Sequence, residues 1–137
     1  VSQATDVRWR MFYLGSYLLI KASHTYLNID WGMDPERFPE YGLDLGSAVT
    51  PLPASIGALK MPGGAYVRRY QKGLVAVNPG QVNVSRTLPT GTWRLTGPVG
   101  GGIVPVNGNV SAWRLNTAPA PAKISLPPRS AVVVLGN

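Results

Sequence analysis

All six carboxylate side chains of this chain fall between Asp6 and Asp44, and its single histidine, His24, lies among them. Acid–base, hydrolytic or carboxylate-bound metal chemistry would have to be built there, because residues 45–137 carry nine basic side chains and no Asp or Glu. A hydrolytic triad needs a histidine oriented by a carboxylate and hydrogen-bonded to a nucleophile. Asp30 shares a face with His24 if both sit on one strand, but six residues at about 3.3 Å each put them roughly 20 Å apart. His24 is therefore read as a structural or surface histidine.

Asp30, Asp34 and Glu36 imitate a calcium loop, yet Pro35 occupies the position that demands glycine and Gly32 a ligand position, so the motif fails. A pair for glycoside hydrolysis could be drawn from Asp30, Asp34, Glu36 and Glu40, which would have to face each other about 5–10 Å apart across a sugar cleft. The elements around them offer no such cleft. Gly100-Gly101-Gly102 leads into Ile-Val-Pro and lacks the Lys-Ser/Thr of a phosphate loop. With no cysteine, thiolate chemistry and disulfides are excluded. No catalytic residue, metal site or cofactor is assigned.

The elements that must position these residues follow from periodicity. Val7, Met11, Leu14, Leu18 and Ala22 recur at helical spacing, so an amphipathic helix is expected over Asp6–Ala22, with Thr5 or Asp6 as its N-cap. Ser23 to Trp31, rich in Thr, Tyr and Ile and ended by Gly32, reads as a strand. Residues 33–64 hold five prolines and five glycines and are expected to form a connector. From Ala65 onward short strands are predicted at Tyr66–Gln71, Leu74–Asn78, Val82–Thr87, Thr92–Thr96, Val110–Leu115, Lys123–Leu126 and Ala131–Leu135. A tight Gln71-Lys72-Gly73 hairpin and an Asn78-Pro79-Gly80 turn separate the first three. Seven or eight such strands imply an antiparallel β-sandwich and a mostly β chain. The unbroken run Val132–Leu135 suggests a central strand buried on both faces, or simply a β-branched strand end.

Composition agrees with a soluble globular chain: 45% of its 137 residues are apolar, with 16 Gly and 13 Pro. The longest apolar run, Met11 to Ile20, is half of what a bilayer span needs. The net charge of +7 raises the question of nucleic acid, but only Arg68, Arg69 and Lys72 cluster. A dispersed, solubilising basic surface with no specific nucleic-acid site is the expectation. Trp93-Arg94-Leu95 and Trp113-Arg114-Leu115 echo each other. Their indoles would be core residues with snorkelling arginines or, if exposed, platforms for sugars or bases. Asn83-Val84-Ser85 and Asn109-Val110-Ser111 match the glycosylation acceptor pattern, relevant only in a secretory pathway. The chain opens on Val1, as a processed protein or a fragment of a longer one would.

Several stretches together carry a resemblance: Ser16-Tyr17-Leu18-Leu19 with Ser23-His24-Thr25-Tyr26-Leu27, then Pro39-Glu40-Tyr41-Gly42-Leu43-Asp44-Leu45-Gly46, Arg69 to Pro79, and Leu126-Pro127-Pro128-Arg129-Ser130-Ala131. Their order resembles the C-terminal end of glycoside hydrolases in which a (β/α)8 barrel is followed by a small β-sandwich. The resemblance implies three units: a helix–strand end of the barrel at 1–32, a connector at 33–64 and the sandwich at 65–137. It implies a non-catalytic part of such a protein, since the earlier barrel strands normally supply the catalytic carboxylates. Asp30 and Trp31, at the end of the presumed last strand, would contact sugar at most. Trp93 and Trp113 are the candidates on the sandwich. The expected partner is a barrel on another chain, or further copies of this one, covering the Val7/Met11/Leu14/Leu18 stripe and the strand edges. An extracellular or secreted address is expected. The alternatives are an extracellular self-assembling protein and a carbohydrate-binding module.

Overall fold

The computed structural model describes residues 3–27, 36–99, 102–103 and 114–136. In chain order the elements are helix α1 (Gln3–Ile20), β1 (Glu36–Arg37), two 3-10 turns (Pro39–Gly42 and Ile56–Leu59), β2 (Tyr66–Tyr70), β3 (Gly73–Asn78), β4 (Val84–Thr87), β5 (Trp93–Val99), β6 (Gly102–Ile103), β7 (Arg114–Pro119), β8 (Lys123–Leu126) and β9 (Ser130–Gly136). Seven of these strands make the expected sandwich. Five form an antiparallel sheet in the order β2-β3-β9-β5-β7, and β4 pairs with β8 in a second sheet. Strands β1 and β6 form a separate two-residue ladder.

The two sheets close on each other because β8 alternates, with Ile124 and Leu126 buried and Lys123 and Ser125 exposed. These side chains and Val84 pack against Val67, Leu74, Ala76 and Val134 of the larger sheet. Asn78 locks the corner: its Nδ2 donates to the carbonyls of Val82, Leu126 and Pro127, and its Oδ1 accepts from Gly80 N–H. That network fixes the Asn78-Pro79-Gly80 turn. It also explains why β4 starts at Val84, since the carbonyl of Val82 is occupied and its side chain exposed.

The opposite face of the five-stranded sheet is covered by α1. Met11, Leu14, Leu18 and Leu19 pack on Tyr70, Val75, Val77 and Val133, with Leu45 and Leu59 at the margin. Burial of each such side chain contributes about 1.5–3 kcal/mol. The apolar stripe is therefore not bare, and the inference that it requires another chain is corrected: its partner is the sheet of its own molecule. All six residues of β3 are buried, and Val133 and Val134 in the neighbouring β9 are wholly so. The unbroken apolar runs in these strands reflect helix on one side and sheet on the other. Gly15 sets the distance: a Cβ there would stand 2.4 Å from Cβ of Ala131.

Other expectations are corrected. The helix begins at Gln3, upstream of both proposed caps, and ends at Ile20. Ser23 to Leu27 are not strand. Thr25 turns the chain back, its Oγ1 accepting from Ala22 N–H and donating to Ala22 carbonyl, while Tyr17 Oη donates to Thr25 carbonyl. Local hydroxyl bonds of this kind compete with strand pairing. Residues 28–35 lie outside the described residues. Of the strand expected at Val110–Leu115, Arg114 and Leu115 are strand, in β7, which runs on to Pro119, a proline that an edge strand tolerates; residues 104–113 lie outside the described ones.

The connector is tied down despite its Pro and Gly content. Val49 and Thr50 N–H both donate to the Arg69 carbonyl, Gln71 N–H to Ser47, Lys72 N–H to Leu45 and Met61 N–H to Ala65. Bridges at Ala48–Tyr70 and Lys60–Tyr66 complete the cover over the outer edge of β2.

Candidate functional site

Two of the places where polar side chains gather among the described residues differ in access to solvent. The first is buried. Arg10 Nε donates to Glu40 Oε1 at 2.9 Å, with the Glu40 side chain fully shielded from solvent. The guanidinium also lies 4.1 Å from the centroid of Phe38, whose ring meets Tyr41 edge-on at 5.5 Å. Glu40 Oε2 has no hydrogen-bond partner among the described residues. A carboxylate sealed from solvent and paired with arginine cannot reach a sugar, so Glu40 anchors the Pro39–Gly42 turn to α1.

The second is a surface groove of about 640 Å³ at the end of the sandwich where the β2–β3 hairpin tip, the Thr90–Trp93 loop and the end of β9 meet. Arg69 on β2 and Trp93 on β5 are separated by β3 and β9, about three strand spacings or ~14 Å. The Trp93 indole is half-buried, its lower part packed on the inter-sheet core and its Nε1 donating to Pro89 carbonyl at 2.7 Å. Gly91 and Gly136 bound the ring where side chains would otherwise cover it: a Cβ on either would stand 3.4 Å from an indole atom. Gln71, Thr90 and Thr92 add polar groups.

The groove's charges are unequal. Lys72 Nζ bonds to Asp44 Oδ2, and with Gly46 N–H donating to the same side chain, the Asp44 carboxyl is held below its ordinary pKa. Arg69, exposed on the same rim, pairs with no carboxylate among the described residues and leaves the groove cationic. The basic cluster seen in the sequence is thus split. Arg68 points the other way, buried against the helix: its Nη1 donates to the carbonyls of Leu18, Leu19 and Lys21 and its Nε to Thr50 carbonyl. The carbonyls of Leu18, Leu19 and Lys21 are orphan groups at the negative end of the helix dipole.

Of the residues expected to contact sugar, only Trp93 is placed in a groove. Asp30, Trp31 and Trp113 lie outside the described residues. His24 is exposed in the turn after α1. Arg94 does not snorkel beside Trp93 but crosses to β7, its Nε donating to Thr117 Oγ1 and its Nη2 to Thr117 carbonyl. Asn83 is exposed just before β4, and Asn109 lies outside the described residues. Among the described residues no three metal-ligating side chains cluster, and no helix is long and apolar enough to cross a membrane. Sequence reasoning missed the contribution of Arg69, Gly91 and Gly136; the one available signal was glycine flanking a tryptophan in Thr90-Gly91-Thr92-Trp93.

The model of hypothetical glycosyl hydrolase family 15 matches residues 2–74, more than half of the chain. The chain belongs to that family. The match runs from α1 through the connector into the β2–β3 hairpin and so takes in Arg10, Glu40, Arg68 and the Asp44–Lys72 side of the groove. No curated protein and no solved structure matches. Membership of hypothetical glycosyl hydrolase family 15 establishes a glycoside-hydrolase-like region.

Proposed function

We propose that this member of hypothetical glycosyl hydrolase family 15 is a non-catalytic C-terminal part of a glycoside-hydrolase-like protein, a β-sandwich that stabilises and accompanies a carbohydrate-active (β/α)8 barrel. The observation that carries the reading is the match across α1 and the hairpin taken together with the state of the two carboxylates whose side chains are described within it. Glu40 is buried on Arg10 and Asp44 is paired with Lys72, so neither faces the other across a cleft. On this reading residues 1–32 descend from the end of the barrel, 33–64 cross over, and 65–137 are the accessory domain.

The barrel's seat is the outward face of α1. Trp9 stacks on Tyr13 with centroids 6.0 Å apart and meets Phe12 edge-on, while Tyr13 and Ile20 are 42% and 51% exposed. With one face on the sheet and aromatics on the other, α1 is apolar on both sides, which suits a helix between two layers. The test is association and catalysis measured separately. The chain alone should hydrolyse no member of a polysaccharide panel and should form a complex with a separately expressed family barrel, by mass in dilute native solution. Tyr13→Asp should weaken that complex while leaving the melting temperature near wild type. Hydrolysis by the chain alone, or a barrel that ignores it, would sink the reading; regular homopolymers would favour self-assembly instead.

A further inference from the structure

The structure assigns the groove at the hairpin tip to an acidic oligosaccharide, one carrying carboxylate or other anionic substituents. This deepens the carbohydrate-associated reading above and rests on it for the sugar class. The charge requirement comes from the groove alone.

Three features define the ligand. Trp93 offers an indole with its N–H already spent on Pro89, so what it presents to the groove is apolar ring, suited to the flat C–H face of a pyranose. Gly136 is paired with Trp93 across the sheet and carries no side chain to cover that ring. Arg69 stands about 14 Å away on the far rim, a distance that calls for an extended chain of sugars rather than one ring. Its guanidinium forks toward carboxylate or sulfate geometry. The groove's one carboxylate, Asp44, is already held by Lys72 and Gly46, so it does not cancel Arg69. An uncharged chain would use the ring and gain no charge contact from Arg69, which is exposed to water.

The experiment is calorimetric titration of the full chain with an oligouronide, an uncharged oligosaccharide of equal length and inorganic phosphate. The oligouronide should bind at least about tenfold more tightly than the uncharged chain, and phosphate alone should not compete at equal concentration. Arg69→Gln should remove that preference. Gly136→Leu, which lays a side chain over the indole at a backbone position without positive φ, should weaken both sugars about tenfold with an unchanged melting temperature. Equal binding of charged and uncharged chains, an Arg69→Gln variant that retains the preference, full competition by phosphate, or no saturable binding would each overturn the assignment. None of these results touches the α1 face, so the barrel association stands or falls by its own test.

Discussion

Arg68 supplies what α1 lacks in its own sequence, since no basic residue stands in the helix's last turn. Its three contacts to carbonyls at the helix end come from a strand some fifty residues away, and no spacing rule could find them. Arg68→Ala should lower stability by about 2–4 kcal/mol in urea unfolding, with Arg68→Lys recovering part by keeping the charge near the dipole. Tyr70 works beside it, its hydroxyl donating to Leu18 carbonyl at 2.6 Å. Burial raises the Tyr70 pKa, and the nearby Arg68 charge only partly opposes this. The folded value lies above the unfolded one, so the contribution is complete below about pH 10 and is lost as pH rises through the folded pKa. Tyr70→Phe should cost about 1 kcal/mol at neutral pH, and its deficit against wild type should shrink above pH 10 in parallel unfolding series. A deficit constant to pH 11 would contradict this account.

At the scale of elements, the strands closest to expectation are those whose turn chemistry is local. The Gln71-Lys72 hairpin pairs Tyr70 with Gly73, and Asn78-Pro79-Gly80 ends β3 where it was expected to end. The strand expected from Ser23 fails over Ser23 to Leu27 because Thr25 has a better local use for its hydroxyl, and β7 runs past the expected end at Leu115 because an edge position tolerates Pro119. The helix itself was readable, its partner only half so: two unbroken apolar strands demand cover on both faces, and Gly15 within the stripe marks the closest approach. In the candidate groove, Trp93 was visible as a residue type. The neighbours that make it a wall became visible only when β2 and β5 were set three strands apart. Gly15→Ala tests the packing against propensity. Alanine favours helix by about 1 kcal/mol, yet the 2.4 Å encounter with Ala131 should make the variant less stable by about 1–3 kcal/mol in thermal or urea unfolding. A stabilised variant would mean that the helix does not rest so closely on β9.

For the whole molecule, the seam suggested by the distribution of carboxylates is chemical and not mechanical. Acidic residues stop at Asp44, but the helix before that point and the strands after it share one hydrophobic core. The family match likewise crosses Asp44 and ends at Leu74, the second residue of β3. Charge changes at Asp44 and the family match ends at Leu74, while packing divides the chain at neither.

The connector's hydrogen bonds along β2 carry one more consequence. The chain is held at Val49 and Thr50 and again at Lys60 and Met61, while Leu52, Ile56 and their neighbours between these anchors are largely exposed. We therefore predict that the fold tolerates a break in the backbone across residues 52–56. A single protease cut there should yield two fragments that co-elute under native conditions and separate only in denaturant, and a flexible insertion at the same place should cost no more than about 1 kcal/mol. A permissive site of this kind would let a reporter or tether be inserted at residues that line neither the Trp93 groove nor the Trp9–Tyr13 pair on α1.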